Sequence, residues 1–516
     1  MNAHDLYVVS PYLAMAGAGL LVILLDLLLP RRIHGLLPYL AFLMLAGPFI
    51  LSLVQFYDLG LAANLVRNGD GSLEASILSG SLSVDRFALF FNFLVTGAVG
   101  LVVLASTDYV RLMPRFQGEY FGLLLFSATG MMLLAAATEL ITIYVALELT
   151  TLPLAALGAF LMSGRSSEAG IKFLIIGAIS SALLLYGMAL VFGFTGSTQL
   201  ADISAAVERA GSGVAFGNYA LMVGLVLLVA GFGFKISAAP FQMWVPDVYE
   251  GAPTPVVAFL SVASKAAGFA VLLRVMFTGF FDVSLDWAVL LAALAAASMT
   301  IGNIVAIVQS NIRRLFGYST IAHAGYLLVG VAAGVQGAQS GLPNVVSNTP
   351  VFAAIGPDSV LFYLGAYTAA NLTAFFAIAA ISERVGSDRI SDYAGLVTRS
   401  PALAITLALA LIALIGVPPT GIFIAKLYVF TAAVDSGLAW LAIVGVVNSA
   451  VSAYYYVRII RVMFLQQPPA APDARPGRNP APWAAMGVAA AALVFMGVAP
   501  GFVMTAAGAA VRALGV

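Results

Sequence analysis

Apolar residues in this chain neither alternate nor fall into half-buried helical stripes; they run on. Stretches of about 18 or more apolar residues recur along the whole length, each long enough as a helix to cross the roughly 30 Å hydrocarbon layer of a bilayer. Charges or Gly/Pro clusters separate them. The pattern predicts fourteen spans, at 8–30, 36–56, 87–107, 120–137, 139–162, 168–194, 219–244, 254–277, 286–309, 315–336, 359–382, 402–431, 438–463 and 483–508. The expected fold class is therefore an all-α polytopic membrane protein. The first span is not read as a signal peptide, because no basic region precedes it and Arg31 and Arg32 follow it.

Composition agrees with the pattern. With 9% charged residues and a mean hydropathy of +1.03, the chain has too little polar surface to coat soluble cores. Its formal net charge is zero, so no bias points to nucleic acid. There is no cysteine, which removes disulfides, thiolate nucleophiles and cysteine-held iron–sulfur clusters together. The three histidines, His4, His34 and His323, speak against a haem or zinc site built from this chain. Any redox centre that the protein serves is expected elsewhere.

Arginine sets the expected orientation. Arg31, Arg32, Arg111, Arg115, Arg165, Arg313, Arg314, Arg384, Arg389, Arg399, Arg458, Arg461, Arg475 and Arg478 flank the loops that follow odd-numbered spans. The other side has Arg67, Arg86, Arg209, Arg274 and Arg512. The positive-inside rule then puts the odd loops in the cytoplasm and both termini outside, in the periplasm of a bacterial inner membrane. One loop is an exception, since the segment after the seventh span carries Asp247 and Glu250 and no basic residue. The proline-rich stretch 466–482 reads as a solvated linker to the last helix. The expected organisation is a single membrane domain over residues 1–516.

The four lysines behave differently. Lys172, Lys235, Lys265 and Lys426 all fall inside apolar spans, whereas the arginines sit in loops or near span ends. A lysine near a helix end can snorkel to the interface, and Lys172 fits that reading as well as a functional one. The other three lie nearer mid-span. There the choice of lysine over arginine has a chemical meaning, because a desolvated lysine can lose its proton while an arginine stays charged. A row of groups that alternate between charged and neutral is what a proton relay needs. Glu148 lies equally deep, where it can hold a nearby lysine protonated, and His323 is the one histidine inside a span.

Helix breaks coincide with the charges. Lys235 is followed by Pro240, and Lys426 is preceded by Pro418, Pro419 and Gly421. Proline frees backbone carbonyls, which is tolerable at membrane depth only inside protein or against water. Two broken spans carrying charges, one in each half, suggest a structural repeat with its functional centre at the breaks. The break follows the lysine in one half and precedes it in the other.

The runs KISAAPFQMWVPDVYEGAPTPVVAFLSVASKAAGFAVLLR (235–274), RRLFGYSTIAHAGYLLVG (313–330) and GVPPTGIFIAKLYVF (416–430) resemble the antiporter-like membrane subunits of respiratory complex I, the proton-pumping NADH:quinone oxidoreductase. The resemblance covers spans 4 to 13 and implies a fold of fourteen helices with two inverted five-helix repeats, 120–277 and 286–463. Helices over 1–119 precede the repeats, and a loop over 464–482 and a last helix over 483–516 follow them. It implies a proton relay of Glu148, Lys172, Lys235, Lys265, His323 and Lys426, with helices 7 and 12 broken. It further implies no cofactor on this chain, with flavin and iron–sulfur clusters on partner subunits. The implied partners are neighbouring antiporter-like and small membrane subunits, together with membrane lipids.

Three functions are weighed. The first is a proton-translocating subunit of a redox-driven complex. The second is the large subunit of a multisubunit sodium/proton antiporter, which shares the ancestry. The third is an unrelated solute transporter. Sodium wants oxygen ligands, and three of the four deepest ionisable groups are ammoniums that repel it. A solute carrier would want a cavity with varied polar groups. The first reading is preferred.

Overall fold

The structure is a computed structural model describing residues 3–65, 73–74, 80–112, 116–210, 219–339, 352–468 and 479–515. Most of the expected linker 466–482 lies outside these residues. The helices run in order as α1 (Ala3–Leu28), α2 (Leu37–Met44), α3 (Ala46–Leu65), α4 (Arg86–Ala105), α5 (Gln117–Ala136), α6 (Leu140–Gly158) and α7 (Gly164–Thr195). They continue as α8 (Leu200–Ala210), α9 (Tyr219–Ile236), α10 (Val245–Gly251), α11 (Thr254–Gly279), α12 (Ser284–Ile307), α13 (Ile312–Gln339) and α14 (Phe352–Val385). The chain ends with α15 (Leu396–Arg399), α16 (Pro401–Ile415), α17 (Gly421–Asp435), α18 (Ala439–Leu465), α19 (Pro480–Val498) and α20 (Gly501–Val511). A two-residue ladder pairs Leu73 with Val84 and Glu74 with Ser83. Among the described residues, thirteen segments are helical, long and apolar enough to cross a membrane.

Where expected spans are interrupted, proline accounts for it. A proline ring clashes with the carbonyl four residues earlier and leaves it without a donor. Pro48 stands four residues after Met44, where α2 stops. Pro240 stands four after Ile236, where α9 stops, and the expected span 219–244 gives way to an irregular stretch before α10. Pro418 and Pro419 stand four after Leu414 and Ile415, so the expected span 402–431 becomes two half-helices, α16 and α17. Pro500 likewise separates α19 from α20.

The helices form a bundle with a buried middle. In α11 the whole membrane-length window is enclosed by protein, as is 94% of that in α13 and 89% of that in α14. The windows of α1, α7, α12, α18 and α19 are buried for less than half their residues and show their apolar sides outward. Lipid is the solvent for those faces. Polar groups on the central helices, among them Lys265, His323 and Asn371, are enclosed where protein can satisfy them. In α11 the ladder widens to π-helical turns at Leu260–Ser264 and Val275–Gly279, one on each side of the segment carrying Lys265. Such widened turns are rare and frequently accompany functional sites. Helix α8 was not anticipated as an element. Its buried Leu200, Ile203 and Val207 fall at helical spacing on one face.

Arg274 lies near the end of its span, as expected, but is buried. It is 3% exposed and bonds Asp85 through Nη2 at 2.9 Å. Its Nε donates to the Ala135 carbonyl at 2.8 Å, and its guanidinium lies 5.0 Å from the centre of the Phe87 ring. Asp85 also caps α4, accepting from the Ala88 amide at 2.7 Å. One buried ion pair thus joins α4, α5 and α11. Removing one partner of such a pair costs about 3–5 kcal/mol because the other charge stays buried. Arg274→Gln should therefore sharply reduce the amount of this chain in purified membranes. Arg274→Gln with Asp85→Asn should recover part of it. Equal loss in the single and double variants, measured by immunoblot, would contradict this account.

Candidate functional site

The membrane-depth lysines and their partners form a contiguous line across the bundle. At one end, Glu148 on α6 is half-buried and accepts a hydrogen bond from Ser181 on α7. One turn further along α6, the Thr151 hydroxyl accepts from Lys235 Nζ at 3.0 Å. Glu148 and Lys235 lie within electrostatic reach of each other. Lys235 is 3% exposed and enters from the last turn of α9, just before the proline break.

The next step crosses to α11. A Cβ on Gly268 would stand 3.1 Å from Lys235 Cγ, so the lysine stem lies directly on the α11 backbone. Lys265 is three residues before Gly268 and therefore on the neighbouring part of the same face. It is buried, and its Nζ donates to the Thr320 carbonyl of α13 at 2.5 Å. The same ammonium lies 5.6 Å from the centre of the Tyr367 ring.

His323 follows Thr320 by less than one turn of α13. Its Nδ1 is 2.8 Å from the Tyr363 hydroxyl, and its ring packs 5.0 Å from Tyr367 and 5.6 Å from Tyr326. Lys265 and Lys426 both lie within electrostatic reach of it. Lys426 Nζ sits 4.6 Å from the centre of the Tyr326 ring. It donates to Leu414 O at 3.3 Å and to Ile415 O at 2.9 Å, the last carbonyls of the half-helix α16. Those two carbonyls are the ones that Pro418 and Pro419 leave without backbone donors. The negative end of the α16 dipole points at the same ammonium.

Gly416 makes that approach possible. It adopts φ of +92°, a left-handed conformation, and a Cβ there would stand 3.0 Å from Lys426 Cδ. A side chain would be strained and would also push the lysine stem.

Sequence reading missed the aromatic and amide groups that join the charges. Tyr326, Tyr363 and Tyr367 are each almost fully buried. The Tyr367 hydroxyl is 2.8 Å from Thr320 Oγ1 and accepts from Asn371 at 2.9 Å, while Asn371 also donates to Ser261 in the first π turn. Asn303 reaches the hydroxyls of Tyr326 and Tyr455. A signal did exist, since Tyr326 is three residues from His323 and Tyr363 and Tyr367 are one turn apart.

Lys172 is placed apart from this line. It is 39% exposed and paired with Glu168 at 2.7 Å and Asp247 at 2.8 Å. Asp247 also accepts from Arg314 at 2.6 Å. The acidic loop that stood out among the basic ones is thus matched by cations from neighbouring helices.

Comparison with known proteins agrees with the geometry. Residues 137–452 match the family described as NADH:quinone oxidoreductase/Mrp antiporter, transmembrane. The NADH-quinone oxidoreductase subunit N of Dehalococcoides mccartyi is 43% identical over 89% of this chain and 90% of its own length. That of Trichlorobacter lovleyi is 39% identical over 98% of this chain and 97% of its own. A chain of respiratory complex I from Thermus thermophilus superposes with a TM-score of 0.73 at 31% identity, covering 96% of this chain and 98% of that one. A chain of the Mrp complex from a Dietzia species gives a TM-score of 0.80 at 20% identity, covering 100% and 98%, and shares the fold. With a family match across most of its length, relatives near 40% identity and the same helical architecture, the chain belongs to the NADH:quinone oxidoreductase/Mrp antiporter family of transmembrane subunits.

Proposed function

We propose that this chain is the proton-translocating membrane subunit of an NADH:quinone oxidoreductase, the counterpart of subunit N, working beside other membrane subunits. The observation that carries the reading is the buried line from Glu148 to Lys426, in a chain so similar to subunit N relatives. Its likeness to the Mrp chain, at 20% identity, speaks to fold alone and does not favour an antiporter.

In this reading Glu148, Lys235, Lys265, His323 and Lys426 pass protons. Glu148 favours the charged form of Lys235 and releases that bias when it is itself protonated. Lys265 and Lys426 both lie within electrostatic reach of His323, so a proton gained by one disfavours charge on the others. His323 can accept at one ring nitrogen while bonded at the other. The two broken helices carry Lys235 and Lys426, and spans 120–277 and 286–463 act as the two halves of a repeat within one membrane domain.

Charge conservation should not conserve this function. Arginine holds its proton too tightly to exchange it near neutrality. In inverted vesicles with normal amounts of assembled complex, Lys265→Arg and Lys426→Arg should each lower the proton signal per NADH oxidised. Gly416→Ala should lower it as well, since a left-handed alanine costs about 1–2 kcal/mol and crowds Lys426. Parental ratios in both arginine variants would reduce these lysines to structural cations.

Both termini are proposed to face the periplasm, which the arginine distribution supports. Reporter fusions should then find 31–35, 310–314 and 384–400 in the cytoplasm. A cytoplasmic N-terminus would overturn this orientation.

Electron transfer is proposed to occur on partner subunits that carry flavin and iron–sulfur clusters. The lack of cysteine supports this. The purified chain should oxidise no NADH and show no flavin absorbance; a stoichiometric bound chromophore would contradict that.

A further inference from the structure

The segment between Lys235 and Lys265 is gripped from two sides. Helix α10 is wedged between α7 and α13, with glycine at both contacts. A Cβ on Gly251 would stand 2.8 Å from Ala169 Cβ, and one on Gly317 would stand 3.1 Å from Pro246 Cα. Ion pairs run over this packing. Lys172 on α7 donates to Asp247 Oδ2 at 2.8 Å, and Arg314 on α13 donates to Asp247 Oδ1 at 2.6 Å and to Glu250 at 3.1 Å. Arg313 donates to the carbonyl of Ala252, which ends α10, at 2.9 Å, and pairs with Asp388 at 2.6 Å. Both charges on α10 thus find cations on neighbouring helices.

Beneath the ion pairs lies an aromatic trio. Phe173, the residue after Lys172, packs 4.8 Å from Trp244 and 5.6 Å from Phe234. The Trp244 indole donates to the Phe234 carbonyl at 3.3 Å. Phe234 immediately precedes Lys235. The rim is therefore connected to the lysine by one short chain of contacts.

We propose that Lys172, Asp247 and Arg314 form a clamp that positions the broken segment 237–244, and through Phe234 the Lys235 ammonium, with Lys172 acting as a positioning residue and not as a proton carrier. The proposal rests on the relay reading above. Lys172 is 39% exposed, whereas Lys235, Lys265 and Lys426 are 5% exposed or less. Each oxygen of Asp247 is committed to a different helix, so the carboxylate bridges α7 to α13. Burial opposes its charge, but the hydrogen bonds from Lys172 and Arg314 outweigh that and hold the carboxyl below the usual carboxylate range. A group that stays ionised suits a strut. A single exposed ion pair contributes little to stability, so removing Lys172 should leave the fold standing and free α10 to shift.

The absence of cysteine makes this testable. Val248 on α10 is 2% exposed, and Val248→Cys places a single thiol there. The assembled complex in membranes is treated with a maleimide-linked polymer, and the mass shift of this chain is followed. With Lys172→Gln or Asp247→Asn, labelling should quicken about two- to fivefold and the proton signal per NADH should fall. Lys172→Arg keeps the ion pair and should restore both to parental values. Labelling at the parental rate in Lys172→Gln would overturn the clamp. So would Lys172→Arg pumping as poorly as Lys235→Arg with unchanged labelling, because Lys172 would then carry protons itself. Failure of the relay reading would show separately, as parental pumping in Lys235→Arg, while the labelling rates still report on the clamp.

Discussion

Pro418 and Pro419 deprive two carbonyls of their donors within a membrane-spanning segment, and one lysine serves both. Leu414 O and Ile415 O would accept from residues 418 and 419 in an unbroken helix, and Lys426 Nζ reaches them instead. In hydrocarbon each unmatched carbonyl would cost several kcal/mol. The break and the lysine therefore require one another. An ammonium has three donors and a neutral amine has two, so both carbonyls can remain bonded whichever form is present. A proton can come or go while the backbone contacts are kept.

The rest of the molecule protects that arrangement and extends it. Peripheral helices take the lipid, leaving α11, α13 and α14 enclosed and free to carry polar groups. Aromatic faces lie against the ammoniums of Lys265 and Lys426, offering partial stabilisation without a fixed counter-charge. A carboxylate at those positions would bias each lysine toward its charged form. Glu148 occurs only at the far end of the line, beside Lys235, where such a bias is useful. The buried Arg274–Asp85 pair stands as the contrast, since there a fixed charge meets a fixed charge and serves to join helices.

Much of this could be read from residue order, because its causes are local. A proline disturbs the carbonyl four residues back wherever it occurs, so the breaks near Lys235 and Lys426 were visible in advance. Lysine in an apolar run is equally visible. The place of Lys172 near a span end already set it apart from the other three, but its ion pair was not visible, since its partner Asp247 is 75 residues away and reaches it through the packing of α10 on α7. The same holds for Arg274, whose neighbours come from two other helices. The π turns around Lys265 depend on tertiary packing and leave no local signature. The spacing of Tyr326 from His323 and of Tyr363 from Tyr367 was visible, but the meeting of all three rings at the histidine depends on the packing of α13 on α14.

The central claim is that the buried lysines exchange protons during turnover. The chain has four lysines, so nitrogen-15 labelling of lysine side chains adds four signals of its own to those of the partner subunits. Each can be assigned in the assembled complex by subtracting the spectrum of the matching lysine-to-arginine variant. Solid-state NMR of resting complex and of complex turning over NADH should show signals of Lys235, Lys265 and Lys426 redistributing between ammonium and amine, with Lys172 unchanged. Ammonium signals that stay fixed for all four lysines in both states would contradict the account.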